Sequence, residues 1–432
     1  MIFLAIILLI VLALAGAPLF AILLGAAMLG VYSTGDEFAV IAANINRIAD
    51  TPLLVALPLF TFSGYLLSES NTSTRLVNLV QSMFGFLPSG LAIVGFVACA
   101  MFTALTGASG VTIVALGALL LPALKSAGFD EKYALGLVTT SGSLGLLLVP
   151  SVPLILYGVV AQQQTLSQPF KITDLFIAGV VPLLIMLGLL IAWTLWRHRG
   201  GAIPRTSFDK HKVWEAVKAA RWEIPLPFIV LGGVFSGIFA VSEAAAVTAL
   251  YVIIAEVLLY REVSFRQLPG IMVESMKIVG GILLILGVAL AFTDYLVIEQ
   301  VPQQVLAFIQ EYISSPLGFL LLLNILLLLL GAVLDIFSAI VIMVPLLLPI
   351  AAGFGIHPVH LGIIFLANMQ IGYFTPPVGM NLFIASYRFK KPLLELYAAA
   401  WPFMLVLLIA RALRRTPTQR KPTNTGDLSQ QF

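Results

Sequence analysis

The sequence predicts an all-α polytopic membrane protein with an inverted structural repeat, in which each copy is a re-entrant helical hairpin followed by a broken transmembrane helix. Three observations support this fold class. The 432 residues are 60% hydrophobic and only 10% charged, whereas an average soluble domain is about 25% charged. Apolar runs of about 20 residues, long enough to span a bilayer, recur along the whole chain. Two distant segments also match each other with glycines and prolines in register.

The apolar runs predict transmembrane helices rather than the strands of a barrel. Barrel strands alternate apolar and polar residues, but runs such as LGFLLLLNILLLLLGAVL (317–334) do not. The first run has no basic residue before it, so it is predicted to be a retained spanning helix and not a cleaved signal peptide. The predicted spans are 2–31, 52–68, 89–105, 133–160, 175–196, 224–240, 243–260, 268–290, 316–331, 359–387 and 393–413.

The internal repeat is found by shifting the chain by 227 residues, which aligns residues 106–156 with residues 333–383 without a gap. Two glycine pairs and two proline pairs carry most of the match, because aliphatic identities arise easily by chance. These pairs are Gly128 with Gly355, Gly145 with Gly372, Pro122 with Pro349 and Pro150 with Pro377. The alternative is a coincidence between two hydrophobic segments.

Each copy opens with a small or polar patch, LTGASG (105–110) or LDIFSA (334–339), and continues with an apolar run that ends in Leu-Pro. Between patch and proline this run has only about 12 residues, too few for a crossing. We therefore expect helical hairpins that dip into the membrane and return. Their predicted extents are 92–122 and 318–349, with tips near 106–110 and 333–338.

The next span of each copy is interrupted near its middle. In the second copy the interruption reads IGYFTPPVGMNLF (371–383), with two glycines and two adjacent prolines. In lipid every backbone polar group needs an internal partner, so such a break is tolerated only where protein shields it or where it lines a cavity. Matched interruptions in two halves of a membrane protein indicate a transporter's binding site. A kink without any ligand is the structural alternative.

The interruptions at 141–151 and 368–377 supply oxygen atoms that suit small alkali cations. Unwound backbone frees carbonyls that can coordinate Na⁺, and helix N-termini face anionic groups. Hydroxyl and amide side chains add oxygens, which hard cations prefer. These side chains are Ser109, Thr112, Ser141, Ser143, Asn368, Thr375 and Asn381.

The predicted organisation alternates scaffold helices with the two repeats. It comprises N-terminal scaffold helices 1–88, the first repeat 89–160, scaffold helices 161–315 with a cytoplasmic loop 197–222, the second repeat 316–387, a C-terminal helix 388–410 and a disordered tail 411–432. The loop and the tail are basic, which indicates a cytoplasmic position rather than lipid or nucleic-acid binding. The basic segment YRFKK (387–391) conflicts with the tail, since one span separates them, and its side stays open.

Four carboxylates lie within or beside apolar runs, where their burial is costly. Asp335 at the second tip is expected either to cap the returning helix or to contact a cation. Glu243 is expected in the first turn of a helix capped by Ser242. Glu256 and Asp294 are expected at helix ends.

Other kinds of function find no support in the sequence. The single cysteine, Cys99, lies in an apolar run and excludes a multi-cysteine metal site. No Gly-Lys-Ser/Thr phosphate loop occurs, which argues against direct ATP drive within this chain. No charged catalytic cluster is present either, so the sequence predicts that the protein is not an enzyme and that an ion gradient drives it.

The chain resembles the large membrane subunit of the tripartite ATP-independent periplasmic (TRAP) transporters. The similarity runs through ALPLFTFSGYLL (56–67), residues 103–158, GIFAVSEAAAVTALY (237–251) and residues 331–386. The glycine-rich tip and the series Asn…Gly…Thr-Pro-Pro-Val-Gly…Asn are its specific parts.

The resemblance implies Na⁺-coupled uptake of an organic acid, such as a C4-dicarboxylate or sialic acid, by an elevator mechanism in the bacterial inner membrane. A periplasmic binding protein would deliver the acid, and a separate small four-helix membrane subunit would join the scaffold within the lipid. A stand-alone divalent-anion/Na⁺ symporter is the alternative.

The resemblance also implies site residues, with two or more Na⁺ as coupling ions. The first Na⁺ site would use Thr106, Gly107, Ser109, Ser141 and Gly145. The second would use Gly331, Leu334, Gly372, Thr375 and Val378. The substrate would lie near Ser109, Thr112, Asn368 and Asn381. Val149 stands where relatives often have proline, and Ile336-Phe337 follows Asp335 where Pro or Thr is usual.

Overall fold

The computed structural model describes residues 2–35, 37–46, 51–164, 168–199 and 208–412. The α-helices of this part of the chain are α1 (Ile2–Leu14), α2 (Leu19–Thr34), α3 (Ala39–Asn46), α4 (Ala56–Ser68), α5 (Thr72–Phe84), α6 (Gly90–Thr106), α7 (Ser109–Ser126), α8 (Glu131–Ser141), α9 (Val152–Gln162), α10 (Ile172–Arg197), α11 (Lys210–Ala219), α12 (Pro225–Phe235), α13 (Val241–Ile253), α14 (Leu268–Ile298), α15 (Val301–Tyr312), α16 (Pro316–Val333), α17 (Ile336–Gly353), α18 (Pro358–Gly372), α19 (Met380–Phe389) and α20 (Leu393–Ala412). The predicted tail lies outside the described residues from 413 onward, as do residues 200–207 of the predicted loop.

The all-helical membrane fold is confirmed. Within the described residues, six helices are long and apolar enough to cross a membrane, and up to eight spans result if two bent helix pairs each count as one. One of these pairs is the first broken helix, and the other joins α4 to α5 with a bend of 74°.

Both predicted hairpins are present, and their tips lie where the sequence predicts. Only Gly107 and Ala108 separate α6 from α7, and only Leu334 and Asp335 separate α16 from α17. A left-handed Gly107, with φ of 69°, makes the first reversal. Ala108 and Asp335 are the N-cap residues of the two returning helices, and they differ in number by the repeat offset of 227.

The predicted lengths of the hairpins were wrong. Helix α7 continues through Pro122 to Ser126, and α17 continues through Pro345 and Pro349 to Gly353. Proline is tolerated inside membrane helices because neighbouring helices and local adjustments satisfy the freed carbonyls. Each returning arm therefore has 18 residues, so length alone does not make it re-entrant.

Both broken helices are present as predicted. The first leaves regular α-helix between Ser141 and Val152, with a short 3₁₀ segment at Leu144–Leu147, and bends by 41°. The second leaves helix between Gly372 and Met380. Pro150 and Pro377, which the repeat makes equivalent, each follow a cis peptide bond.

Each break packs against the first arm of its own hairpin through a matched glycine. A Cβ atom on Gly145 would lie 2.1 Å from the carbonyl oxygen of Ala100 in α6. A Cβ atom on Gly372 would lie 2.6 Å from the Cα atom of Gly331 in α16. No side chain fits at these distances, so glycine is required at both positions. This packing of each tip region on a break supports the re-entrant interpretation.

The two repeats meet at equivalent residues. The Ser143 hydroxyl donates to the carbonyl oxygen of Gln370 over 3.2 Å, and the two residues are 227 apart in sequence. Equivalent residues touch only beside the axis that relates the two copies. The axis of the inverted repeat therefore runs between the two breaks.

Two other sequence predictions were wrong. The first apolar run is not one span, because Gly16, with φ of 84°, and Pro18 separate α1 from α2. The cap of α13 is Ala240 and not Ser242, since the helix begins two residues earlier than expected. Glu243 does lie in the first turn, where its carboxylate accepts the backbone N–H of Ala240 over 2.8 Å.

Glu256 lies near a helix end, as predicted: it is three residues from the end of the continuous helix Val241–Leu259, in the π-helical segment Ile254–Leu259, where it is fully buried. Its carboxylate accepts from Arg75 of α5 over 3.2 Å and from Thr72 over 3.1 Å. Arg75 also forms ion pairs with Glu223 and Glu262. Asp294 lies near the C-terminal end of α14.

Arg75 and its three ion-pair partners, Glu223, Glu256 and Glu262, form a cluster, called the Arg75 cluster below. This cluster joins α5 to the neighbouring scaffold elements. The guanidinium of Arg75 stacks on Tyr260 with 3.9 Å to the ring centroid. Partial burial of Glu262 opposes its ionisation, but the backbone N–H of Asn71 and the charge of Arg75 lower the pKa of this carboxyl below its usual value. Helix α5 is therefore held at its N-terminal end, while its other end leads into the first hairpin.

Candidate functional site

A cavity of about 530 Å³ lies between the two hairpin tips on one side and helices α4 and α14 on the other. The tips contribute Ser109 and Asp335, among other residues. Helix α4 contributes Tyr65, the residue that follows α4 is Glu69, which also lines the cavity, and α14 contributes Ile278. The size falls within the range of small-molecule binding sites. The cavity therefore lies at the boundary between the repeats and the surrounding helices.

The second tip is held by Asp335 and by the second break. One carboxylate oxygen of Asp335 accepts the backbone N–H groups of Phe337 and Ser338, each over 3.0 Å. The hydroxyl of Tyr373 accepts the N–H of Ile336 over 2.8 Å. Asp335 thus acts as the helix cap, and a cation contact by the same residue stays a prediction.

The first tip has no side-chain cap at Ala108. Instead, the Ser109 hydroxyl donates over 2.8 Å to the side-chain oxygen of Asn381, which belongs to the second repeat. The amide nitrogen of Asn381 donates over 3.3 Å to the carbonyl oxygen of Thr139 in α8. Asn381 therefore ties both repeats together beside the cavity.

Of the four predicted substrate residues, only Ser109 lines the cavity. Thr112 is buried and hydrogen-bonded to Thr103 over 2.6 Å. Asn368 donates to Asn324 of α16 over 2.8 Å and so joins the second hairpin to α18. Asn381 is buried in the link just described. The structure places these three amide and hydroxyl side chains in bracing positions rather than on the cavity wall.

The residues of the predicted first Na⁺ site lie around the first tip and break. A Cβ on Gly142 would lie 3.2 Å from the carbonyl oxygen of Ser109, which places Ser141 next to the tip. Gly145 packs on α6 two to six residues before Thr106. The hydroxyl of Thr106 donates to its own helix at Phe102 over 2.9 Å. The structure brings this set together.

The residues of the predicted second Na⁺ site also converge. Gly331 and Gly372 are in backbone contact. The N–H of Gly379, which follows Val378, donates to the carbonyl oxygen of Ala332 over 2.9 Å, two residues before Leu334. The Thr375 hydroxyl donates to the carbonyl oxygen of Ile371 over 2.9 Å and leaves its own lone pairs available.

Several buried polar atoms near the breaks have no strong partner. Ser141 Oγ lies beside the weakly bonding thiol of Cys99 and has no other hydrogen-bond partner among the described residues. Ser151 Oγ and both amide atoms of Gln370 have no hydrogen-bond partner among the described residues. Buried polar atoms are costly unless satisfied. Hydroxyl, amide and carbonyl oxygens are donors that fit Na⁺, and no group of three or more His, Cys, Asp or Glu that could hold a metal occurs in the described part of the chain.

Sequence reasoning missed several residues of this region. Gln370 is fully buried beside the axis of the repeat, and a polar residue next to an interruption was the signal that could have found it. Tyr65 and Glu69 line the cavity, but neither their spacing nor their type marked them before the helices were placed. Phe337 also lines it, and the sequence marked this residue only as a departure from the residues usual after Asp335.

Two hairpins and two broken helices around a cavity at the repeat boundary define a membrane transport protein built on an inverted repeat. The chain matches the family model "Tripartite ATP-independent periplasmic transporter, DctM component" over residues 5–416. It belongs to this family and is an inner-membrane protein.

Two relatives agree with this assignment, and a solved structure shares the fold. The chain is 35% identical to the C4-dicarboxylate TRAP transporter large permease protein DctM of Rhodobacter capsulatus, over 82% of each chain. It is 34% identical to the protein of the same description from Pseudomonas aeruginosa, over 87% of this chain and 86% of that one. The fold resembles the crystal structure of the Alcanivorax borkumensis YdaH transporter, with a TM-score of 0.60, 16% identity and coverage of 87% and 86%.

Proposed function

We propose that this chain is the large permease subunit for Na⁺-coupled uptake of an organic acid. Family membership and the 530 Å³ cavity between the hairpin tips carry this proposal. The relatives described above are named for C4-dicarboxylates, which supports a carboxylate cargo.

Coupling to Na⁺ is supported by the donor atoms beside the cavity. Hydroxyls and backbone carbonyls dominate around both tips, and Ser141 Oγ lies buried without a strong partner. A cation bound there would satisfy this oxygen and would place positive charge close to a bound carboxylate. Ion and cargo then stabilise each other, which is the thermodynamic requirement for coupled transport.

An elevator movement is supported by the way the repeats are connected. Ser143–Gln370 and Ser109–Asn381 join the two copies into one body. The opposite cavity wall belongs to α4 and α14, outside the repeats. A body that carries the cargo can therefore slide against a wall that stays in place. A small four-helix membrane subunit would stabilise that wall, and a periplasmic binding protein would deliver the acid.

Reconstitution in proteoliposomes tests this proposal. The full complex with its binding protein should accumulate a radiolabelled acid only under an inward Na⁺ gradient, and a K⁺ gradient of equal size is the control. Accumulation by this chain alone from free acid would instead support a stand-alone symporter. Accumulation that is independent of Na⁺ would refute the coupling.

A further inference from the structure

The cavity wall carries acidic but no basic side chains among the described residues that line it. Glu69 and Asp335 are its carboxylates, and Asp335 already caps α17. No ion pair with Lys or Arg is therefore available to a carboxylate cargo on this wall. Such a group must be met by backbone N–H groups, hydroxyls or a coupling cation. Because the Ser109 hydroxyl already donates to Asn381, the first tip offers the backbone N–H groups at the start of α7, which has no side-chain cap.

Apolar side chains form much of the remaining wall. Val111 and Val114 come from α7, Ile336 and Phe337 from α17, and Ile384 from α19. A cargo with apolar groups binds favourably to this surface, because the contact removes apolar area of both the cargo and the wall from water. It offers nothing to a cargo whose surface is polar on all sides.

The two tips differ at equivalent positions. The repeat offset of 227 pairs Phe337 with Gly110. A Cβ on Gly110 would lie 2.6 Å from the side chain of Ile384, so the first tip is narrow and presents backbone. The second tip presents an aromatic ring at the matching place.

The backbone of Phe337 is anchored at the second tip, and its side chain lies on the cavity wall. Its backbone N–H donates to Asp335 over 3.0 Å, and its side chain is partly buried. The ring also lines a smaller neighbouring cavity of about 160 Å³. Phe337 therefore lies between the two cavities and forms part of the wall of each.

We infer that the cargo is an organic acid with an apolar body, bound with its carboxylate at the first tip and its body against Phe337, which determines selectivity. This inference rests on the proposed function, since it specifies the cargo of the same cavity. The acid it describes has one carboxylate and a branched aliphatic or aromatic remainder. A small dicarboxylate such as succinate leaves the apolar wall without contacts.

Equilibrium binding to the purified full chain, with any subunit that co-purifies, tests the inference in Na⁺ buffer without the binding protein. The probes are radiolabelled 4-methylpentanoate and succinate. The wild type should bind 4-methylpentanoate more tightly. Phe337→Ala should weaken that binding by roughly tenfold, the scale of lost apolar contact in a pocket, and should leave succinate unchanged. Phe337→Leu, which keeps apolar volume, should retain most of the affinity.

Phe383→Ala is the matched control, because Phe383 is 46% exposed on α19 and does not line the cavity. Tighter binding of succinate by the wild type, no detectable binding of either acid, or equal effects of Phe337→Ala and Phe383→Ala would each overturn the inference. Na⁺-driven uptake is measured separately. If the protein binds 4-methylpentanoate selectively but shows no Na⁺-driven uptake, the proposed Na⁺ coupling is wrong. The inference that the cargo binds against the apolar cavity wall would still stand.

Discussion

The first and second repeats share one backbone plan but differ in access. The first break, from 141 to 151, is buried almost throughout, whereas Pro376, Pro377 and Val378 of the second break are exposed. The first tip is tied to the other repeat through Ser109 and Asn381, and the second tip is capped by its own Asp335. The duplicated backbone therefore carries one buried break and one partly exposed break, because the two repeats retain the same backbone packing while their side-chain partners differ.

The glycine contacts should give the largest effects and should be alike in both halves. Gly145→Ala and Gly372→Ala place a methyl group against backbone at 2.1 and 2.6 Å, which is expected to cost about 3 kcal/mol or more. Both variants should lose folded yield in size-exclusion profiles. Gly280→Ala, where nothing lies within 4 Å, should behave as wild type. If either Gly145→Ala or Gly372→Ala is as stable as the wild type, the two interruptions are not structurally equivalent.

Removal of the hydrogen bonds of Asn381 that link the two repeats should give the next largest loss of stability. Asn381→Ala leaves the buried Ser109 hydroxyl and the Thr139 carbonyl without their partner, at an expected cost of about 1–3 kcal/mol. Thermal unfolding of Asn381→Ala, Ser109→Ala and the double variant forms a cycle. The double variant should lose less stability than the sum of the two single variants. Strict additivity would show that the two side chains do not interact.

The two predicted Na⁺ sites can be compared through one hydroxyl in each. Ser141→Ala removes an oxygen without a strong partner, and Thr375→Val removes one that already serves its own helix. Each should raise the half-saturating Na⁺ concentration for uptake, by roughly tenfold for an ion-bound oxygen. Stability without Na⁺ should change less in Ser141→Ala than in Thr375→Val, because no established hydrogen bond is lost. An unchanged Na⁺ response in either variant removes that residue from its site.

Substitution of the Asp335 cap, which the first tip lacks, should give the smallest loss of stability. Asp335→Asn keeps an acceptor for the N–H groups of Phe337 and Ser338, so stability should stay within a few tenths of a kcal/mol, whereas Asp335→Ala should cost about 1 kcal/mol. Unfolding temperatures separate the two variants. If Asp335→Asn also weakens the Na⁺ dependence of uptake, the carboxylate contacts a cation in addition to its role as a cap.

The sequence predicted those features that local backbone chemistry determines. The hairpin tips at Gly107 and Asp335 and the breaks at Pro150 and Pro377 were found because glycine, proline and capping residues act on their own neighbourhood. The helix ends at Pro122 and Pro349 were wrong because packing against neighbouring helices outweighed the local signal.

Partnerships between distant residues were beyond sequence reasoning. Asn324 and Ser109 are the hydrogen-bond partners of Asn368 and Asn381, and these pairs are known only once the helices are packed. The assignment of Asn368 and Asn381 to the substrate stays a prediction. Glu256 gave no specific signal for the same reason, since its partner Arg75 is 181 residues away.

The Arg75 cluster has a consequence for biogenesis. Arg75 emerges from the ribosome long before Glu223, Glu256 and Glu262, which follow 148, 181 and 187 residues later. An arginine without counter-charges is costly to bury beside lipid. The ion pairs that hold α5 therefore cannot begin to form until translation has passed residue 223, and the set is complete only after residue 262. The growing polypeptide thus contains both arms of its first hairpin well before these ion pairs exist.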